Sequence, residues 1–325
     1  MNRVITVTLN PALDITANVE RVVAGKKLRC QEPRFDPGGG GVNISRALAK
    51  FGELSIPFVA SGGAIGDALK ALLCDEEIEA IWFDIPGISR QSIVIDEQSS
   101  GAQYRFVLPG PSWPPDLWQE SLELIAALVQ PGDLVVGSGS LPPGVPDDYY
   151  VSLCRMAKNR QARALIDTSG RALDAISRSS DCPAAVVLMD DDEASQLLGE
   201  VASDEAAMHA LARRLVSFGG VETVILTLSE KGAMAVTEDG GWRAVPPVVP
   251  VASKVGAGDS FMAGIVLGMR RGWPLNEIVS FAVAAAASAV TTPATELCTK
   301  AGTEELRHAV MCTALLFKFD DSADA

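Results

Sequence analysis

The residues with the clearest chemical meaning lie late in the chain, where Gly-Ala-Gly-Asp-Ser occupies positions 256–260 at the start of a helical pattern. Glycines that open a helix allow successive backbone N–H groups to converge on an anion at the positive end of the helix dipole. A carboxylate beside that anion is costly unless it accepts a proton from an attacking hydroxyl. Asp259 therefore predicts phosphoryl transfer with this aspartate as the general base. The backbone groups that would stabilise the transferring phosphoryl are those of Gly256, Ala257 and Gly258.

Two further readings of these segments stay open. Asp259 could be the N-cap of its helix, a role that is compatible with catalysis.

A second glycine-rich segment, Pro-Gly-Gly-Gly-Gly-Val-Asn at 37–43, also precedes a helical pattern. Its glycines would let the backbone approach a ligand closely, and Asn43 offers both a donor and an acceptor to a sugar hydroxyl. Glycines alone would serve a flexible hinge equally well.

Composition narrows the class of protein. The 325 residues carry 27 basic and 41 acidic side chains, a net charge of −14, which disfavours nucleic acid or an anionic membrane as a partner. With two histidines, and six cysteines without C-x-x-C spacing, neither a histidine triad nor a zinc ribbon is indicated. The first residues form a strand-like run rather than a signal peptide, and the apolar run 282–290 is too short to span a bilayer. We therefore expect a cytoplasmic protein with free thiols.

Short apolar runs alternate with helical patterns along most of the chain. Strands that are apolar throughout and separated by helices indicate a parallel sheet covered on both faces, which is a doubly wound α/β fold. Neither the P-loop pattern nor the dinucleotide-binding fingerprint is present. Strands are expected at 4–9, 56–61, 133–137, 163–167, 184–188 and 222–228. Helices are expected at 42–51, 66–74, 116–129, 147–159, 204–218, 258–271, 275–291 and 302–314.

Two stretches break this alternation. Residues 12–35 are polar and carry five basic side chains, and two extended runs at 91–95 and 103–107 flank a turn. They predict a small antiparallel sheet outside the main one, which could be a lid, a dimer contact or both. Its basic side chains would either meet an anionic ligand or remain solvated surface charges.

The domain organisation follows from the absence of a long linker or a low-complexity segment. Residues 1–315 are predicted to form one kinase-type domain. Its lid strands would come from about 12–35 and 90–108. The acidic tail at 316–325 is predicted to be disordered.

The two glycine-rich segments resemble the signatures of the ribokinase-like sugar kinases, also called the phosphofructokinase B family. Gly-Ser-Leu-Pro-Pro-Gly at 139–144 and Thr-Leu-Asn-Pro-Ala-Leu-Asp at 8–14 resemble the branch that acts on phosphorylated ketohexoses. The resemblance covers about residues 3–315. It implies a ribokinase-like fold with a small β lid, a homodimer formed through the lids, and ATP with Mg²⁺ as the phosphoryl donor.

The same resemblance implies the reaction and its acceptor site. The expected reaction phosphorylates fructose 6-phosphate at its C1 hydroxyl, while a kinase for fructose 1-phosphate or tagatose 6-phosphate would share almost every motif. Sugar hydroxyls would be held by Asp14, Gly39, Gly40 and Asn43. The sugar phosphate would lie near Lys27, Arg29, Arg90 and Ser140, some of them supplied by the neighbouring subunit, and Gln103 belongs to a matching lid segment.

On the nucleotide side, the resemblance assigns water-mediated Mg²⁺ binding to Glu193, with Asp190 as a second candidate. It also admits K⁺ as a further cation. The expected contacts to the nucleotide comprise Asp190, Thr227, Ser229, Lys231, Gly232, Gly258, Val283 and Ala287.

Several residues on this side depart from the family pattern. Leu188 replaces a lysine expected near ATP phosphate, Asp190 replaces an asparagine, and Ser229 replaces a glycine. Lys254, just before the glycine-rich helix start, could supply the missing charge. Near the expected monovalent-cation loop, Glu296 stands where arginine is usual, and position 294 also departs. These changes motivate an alternative from another class, a sugar-phosphate-binding protein with impaired kinase activity.

Overall fold

The structure is a computed structural model that describes residues 2–199, 205–293 and 295–315. The strands, in chain order, are β1 (Val4–Thr8), β2 (Ala12–Val19), β3 (Arg34–Gly38), β4 (Ile56–Ser61), β5 (Ile81–Asp84), β6 (Arg90–Glu97), β7 (Gln103–Val107), β8 (Leu134–Ser138), β9 (Arg163–Asp167), β10 (Ala184–Asp190), β11 (Thr223–Thr227), β12 (Ala233–Val236), β13 (Gly241–Val245) and β14 (Met311–Leu315). The helices are α1 (Gly40–Lys50), α2 (Gly63–Asp75), α3 (Leu117–Leu128), α4 (Tyr149–Asn159), α5 (Gly170–Arg178), α6 (Asp191–Leu198), α7 (Glu205–Gly219), α8 (Ala257–Arg270), α9 (Leu275–Val290) and α10 (Lys300–Arg307).

Ten strands form the main sheet, in the spatial order β14-β13-β12-β11-β10-β9-β8-β1-β4-β5. The seven strands from β11 to β5 pair in parallel, whereas β12, β13 and β14 add an antiparallel edge. Apolar side chains from α1, α8 and α9 cover one face, and side chains from α3, α4, α5 and α7 cover the other. The predicted doubly wound α/β fold is confirmed.

The predicted helix at 302–314 is wrong in its second half. The helix α10 ends at Arg307, and residues 311–315 instead form β14, which pairs with β13 at the sheet edge. Met-Cys-Thr-Ala-Leu is compatible with either state, so pairing with an open edge decides its conformation. The prediction for the tail at 316–325 lies outside the described residues.

A separate four-stranded sheet, here called the small sheet, has the order β3-β2-β6-β7. The pairs β2–β3 and β6–β7 are antiparallel, but β2 and β6 run parallel, so the predicted antiparallel sheet is wrong at its centre. Between β3 and β6 the chain forms β4 and β5 of the main sheet. This long crossover connection allows β6 to pair with β2 in parallel, which a hairpin could not do. The one-domain boundaries and the lid function stay predictions.

This topology determines where a site can form. In a parallel sheet the strands all end at the same edge, where Thr8, Ser138 and Asp167 end β1, β8 and β9. The glycine segment between β3 and α1 and the start of α8 carry the two motifs from which the sequence analysis began. Ligands of open α/β sheets bind at this carboxyl edge. Among the described residues, no helix is both long and apolar enough to cross a membrane.

Candidate active site

A cavity of about 190 Å³ lies between the small sheet and the beginning of α8. It brings together residues that the sequence analysis selected from four distant segments. Those that line it are Asp14, Gly39, Asn43, Arg90, Gly256 and Asp259. Arg105 and Thr295 also line the cavity and were not selected from the sequence.

Asp259 lies in the first turn of α8, whose N-cap is Gly256 rather than the aspartate. The N-cap reading of Asp259 is therefore wrong. Gly256 has φ of 76°, a left-handed conformation that glycine adopts without strain, and no side chain caps this helix end. The first N–H groups of α8 thus remain available to an anion.

The Asp259 carboxylate is partly buried at the wall of the cavity, and its Oδ2 accepts a hydrogen bond of 2.9 Å from Asn43 Nδ2. Burial, the largest cause, raises the pKa of Asp259 to about 7, and the nearby charges of Asp167 and Asp14 raise it further. Hydrogen bonding from Asn43 and the charge of Arg46 oppose this rise. A carboxylate whose pKa lies near neutrality is suited to act as a general base.

The glycine segment forms a packed turn, which argues against a hinge. Gly39 has φ of 112°, and a Cβ added there would come 2.8 Å from Thr8 Cγ2. A Cβ on Gly40 would overlap the hydroxyl of Ser138. The backbone can therefore approach β1 and β8 closely only because these residues are glycines.

Asp14 and Arg90 lie on the neighbouring strands β2 and β6, whose register pairs Asp14 with Ser92. Burial raises the pKa of Asp14 to about 6, while the charge of Arg90 opposes the rise. Arg90 is largely buried, and its Nε donates to the carbonyl oxygen of Asn10 over 3.0 Å. The Asn10 side chain donates in turn to Ser140 Oγ over 3.2 Å. Ser140 is thus connected to the cavity through two hydrogen bonds.

Five predicted acceptor residues do not line this cavity, namely Lys27, Arg29, Gly40, Gln103 and Ser140. Gln103 lies on β7 two positions before Arg105, roughly 7 Å along the strand, and donates to Asp96 over 2.9 Å. Lys27 and Arg29 are exposed in the connection between β2 and β3. Their assignment to a neighbouring subunit's site stays a prediction.

The sequence analysis missed Asp167, the last residue of β9. Its carboxylate is partly buried and accepts a 3.0 Å hydrogen bond from Ser138 Oγ. Burial raises the pKa of Asp167 to about 6, and its charge raises the pKa of Asp259 and of Glu193. The sequence did contain a signal for this residue, because an acidic side chain at the end of an apolar strand is expected at the carboxyl edge of a parallel sheet, where ligands bind.

Asp190 and Glu193 form a reciprocal cap on α6. Asp190 Oδ1 accepts from the Glu193 backbone over 2.8 Å, and Glu193 Oε2 accepts from the Asp190 backbone over 2.9 Å. Burial raises the pKa of both carboxyls, that of Glu193 to about 7. Within residues 2–199, 205–293 and 295–315, no three His, Cys, Asp or Glu side chains form a ready metal cluster.

These acidic residues nevertheless fit a hydrated divalent cation. Carboxylate oxygens are the ligands that Mg²⁺ prefers, and it usually retains several of its waters. The charges of Asp167 and Asp190 both raise the pKa of Glu193, so a cation placed among the three would relieve their repulsion.

Comparison with known proteins decides the family. Residues 7–301 match the model of the pfkB family carbohydrate kinases. The chain belongs to the pfkB family. The resemblance found in the sequence is therefore confirmed, and with it the kinase class.

Named relatives agree with this assignment. A Mycobacterium tuberculosis protein named ATP-dependent 6-phosphofructokinase isozyme 2 is 36% identical over 298 residues, covering 92% of this chain and 87% of the relative. Its Escherichia coli namesake is 33% identical over 306 residues, covering 94% and 98%. Solved structures of E. coli phosphofructokinase-2 share 32% identity over 95% of this chain and 99% of theirs. They include a complex with potassium (TM-score 0.89), a complex with fructose-6-phosphate (0.87) and a tetrameric inhibited form (0.87).

Two of the residues that depart from the pfkB family pattern, Leu188 and Ser229, belong to the predicted nucleotide site. Leu188 is 3% exposed within the core, so a lysine at this position would have to leave the core to reach a phosphate. Ser229, in the short 3₁₀ turn Ser229–Lys231, has φ of 51°. This is a left-handed conformation, which a glycine at the same position would adopt without strain.

The other residues predicted to contact the nucleotide lie on β11, in the turn that follows β11, on α9 and at the start of α8. Thr227 ends β11, and Gly232 has φ of 95° in the following turn. Val283 and Ala287 are buried on α9, whereas Lys231, Gly258 and Lys254 are exposed. Their contacts with a nucleotide stay predictions.

Proposed function

We propose that this chain is an ATP-dependent kinase that phosphorylates fructose 6-phosphate at its C1 hydroxyl and releases fructose 1,6-bisphosphate and ADP. The observation that carries the proposal is the partly buried Asp259, with its pKa raised to about 7, beside the uncapped start of α8. The same cavity contains Asp14, Asn43 and Arg90, which suit a phosphorylated sugar. The relatives' names and the fructose-6-phosphate complex of the E. coli protein support this substrate.

In the proposed mechanism, Asp259 accepts the proton of the C1 hydroxyl as its oxygen attacks the γ-phosphorus of ATP. The N–H groups at the start of α8 stabilise the negative charge on the transferring phosphoryl. Asp14 accepts hydrogen bonds from sugar hydroxyls. Arg90 and Arg105, on β6 and β7, hold the sugar phosphate through charge-assisted hydrogen bonds. Closure of the small sheet would exclude water and limit wasteful ATP hydrolysis.

Mg²⁺ bound with ATP would neutralise charge on the β- and γ-phosphates. Glu193 would accept hydrogen bonds from the water molecules bound to this ion, and Asp190 and Asp167 would add negative charge close to it. The structure of the E. coli relative with potassium makes K⁺ a candidate activator of this chain too. In this chain the segment that departs from the family's cation loop is tied to the small sheet by an ion pair of 2.8 Å between Arg34 and Glu296.

We further propose that two copies associate through their small sheets. Apolar side chains on this sheet are exposed, among them Phe35 (49%) and Phe106 (53%). Phe35 and Phe106 lie in one row across the small sheet, with Ile15 and Ile93 in register between them, and an exposed apolar row of this kind favours burial in an interface. Lys27 and Arg29 would then reach the partner's cavity. Sedimentation of Phe106→Asp against the unmodified chain tests this, since a dimer that persists in the variant would exclude the small sheet as the interface.

The six cysteines are free thiols, which is consistent with the cytoplasmic location predicted from the sequence. That location stays a prediction.

A coupled assay of the purified protein tests the proposed function. We expect turnover of fructose 6-phosphate with MgATP that exceeds turnover of fructose 1-phosphate and tagatose 6-phosphate. If only one of the other two sugar phosphates is turned over, that compound replaces fructose 6-phosphate as the proposed substrate. Sugar-phosphate binding by calorimetry without nucleotide binding or turnover would indicate instead the binding protein suggested by Leu188, Asp190 and Ser229.

A further inference from the structure

Arg46 lies in α1 one turn after Asn43 and is almost completely buried, at 4% exposure. Its guanidinium Nε and Nη2 donate to the Glu76 carboxylate over 2.7 and 2.6 Å. The remaining nitrogen, Nη1, donates to the carbonyl oxygen of Pro37 over 3.1 Å and to Asn43 Oδ1 over 3.2 Å. Asp36 on β3 is a further anionic neighbour at 3.6 Å. The guanidinium is therefore fixed by groups from α1, α2 and β3.

These contacts determine which way the Asn43 amide faces. A guanidinium can only donate hydrogen bonds, so the oxygen of the amide must face Arg46. The amide nitrogen then faces the Asp259 carboxylate, to which it donates over 2.9 Å. Rotating the amide by half a turn would place donor against donor at Arg46 and acceptor against acceptor at Asp259.

We propose that Arg46 is a positioning residue for phosphoryl transfer, fixing the Asn43 amide and, through it, the carboxylate of Asp259. The inference rests on the proposed function, because it concerns the base of that reaction. One amide N–H holds the base and the second remains for a sugar hydroxyl. A displacement of about 1 Å at a reacting group can lower the rate about 100-fold. Loss of this contact is therefore expected to lower kcat by about 10- to 100-fold, with a smaller change in KM for the sugar.

Arg46 could instead act only through its charge, which lowers the pKa of Asp259. The other groups that face Asp259 are Asn43 on α1, Asp167 on β9 and Asp14 on β2. Arg46→Lys separates the two roles. Lysine keeps the charge but lacks the planar fork that reaches Glu76 and Asn43 together. Positioning predicts that the lysine variant loses kcat while the acid limb of its pH profile stays in place, and a charge effect predicts that it retains kcat.

A double-mutant cycle provides the test, with Arg46→Lys, Asn43→Ala and the combination measured in the full-length protein. We expect Arg46→Lys to lower kcat at least tenfold in the unmodified background and less than about twofold beside Asn43→Ala. Equal factors in both backgrounds would show that Arg46 does not act through Asn43 and would overturn the proposal.

Glu76→Gln is the matched control, because its amide oxygen still accepts a hydrogen bond from the guanidinium, so the partly buried ion pair is weakened while Arg46 stays in contact with Asn43. It should lower Tm and keep kcat within about twofold. A loss of kcat equal to that of Arg46→Lys would assign Arg46 a merely structural role. If both Arg46→Lys and Arg46→Gln fail to fold, as judged by circular dichroism, the proposal is also overturned.

The proposed function is judged separately, by turnover of the unmodified protein. If it phosphorylates a different ketohexose phosphate, the cycle is measured with that sugar. The coupling between Arg46 and Asn43 then stands or fails independently of which sugar is the natural substrate.

Discussion

Ser138 Oγ donates a 3.0 Å hydrogen bond to the partly buried Asp167 carboxylate and joins the ends of β8 and β9. Asp167 interacts electrostatically with both the proposed base Asp259 and the α6 acid Glu193, and its charge raises the pKa of each. The protonation of the base is therefore coupled to the acidic residues proposed to surround the metal.

The first prediction concerns pH and rate. Asp259 must be unprotonated to accept a proton, and burial raises its pKa to about 7. We expect kcat/KM for fructose 6-phosphate, which reports the protonation of the base before the sugar binds, to fall as pH is lowered through about 7. In Asp167→Asn, which removes a repelling charge, the acid limb should move to lower pH. An acid limb near pH 4 in the unmodified protein would mean that burial does not govern this base.

The second prediction concerns pH and stability. Because the folded pKa of Asp259 lies above its ordinary value of 3.8, the folded state binds this proton more tightly than the unfolded chain. That contribution is present at low pH and lost as pH rises through about 7. The amide introduced by Asp259→Asn does not titrate, so the gain in unfolding free energy from this substitution should grow by on the order of 3 to 4 kcal/mol between pH 4 and pH 8. Urea unfolding in metal-free buffer measures it, and a gain that does not vary with pH would contradict it.

The third prediction separates two residues of β7. Arg105 lines the cavity, whereas Gln103 pairs with Asp96 at the exposed end of the strand. Arg105→Met should raise KM for fructose 6-phosphate about tenfold or more, because it removes a charge-assisted contact to the sugar phosphate, and should leave KM for ATP nearly unchanged. Gln103→Met is the control and should change neither value by more than about twofold. The reverse ranking would place the sugar phosphate elsewhere.

The fourth prediction concerns Ser229, whose φ is 51°. Glycine adopts this conformation freely, but a β-branched side chain does not. Ser229→Gly should therefore be more stable than Ser229→Val by about 1 to 2 kcal/mol, measured by chemical denaturation. Equal stabilities would mean that this turn does not require a left-handed residue.

Much of the fold and of the acceptor site could be predicted because their signals are local. The runs that form β1 and β4 are mostly apolar, and glycines precede α1 and α8 in both motifs. These features specify their own conformation. The family resemblance then brought Asp14 and Arg90, which are distant in sequence, into one site.

The rest depended on contacts that a single sequence does not display. The strand β14 forms because an edge of β13 is available, and β2 pairs with β6 in parallel because the main sheet separates them along the chain. Asp167 and Arg46 were missed for a similar reason. Each is one charged residue in an ordinary strand or helix pattern, and its importance arises from contacts with other elements, Ser138 on β8 for Asp167 and Pro37 on β3 for Arg46.

The central claim is that Asp259 is the general base, and Asp259→Asn tests it most directly. The variant keeps the shape of the side chain and loses its ability to accept the proton. We predict a fall in kcat of about 10² to 10⁴-fold with fructose 6-phosphate and MgATP, while the Kd for the sugar phosphate changes little. A variant that binds both substrates and turns over at near-normal kcat would contradict the account.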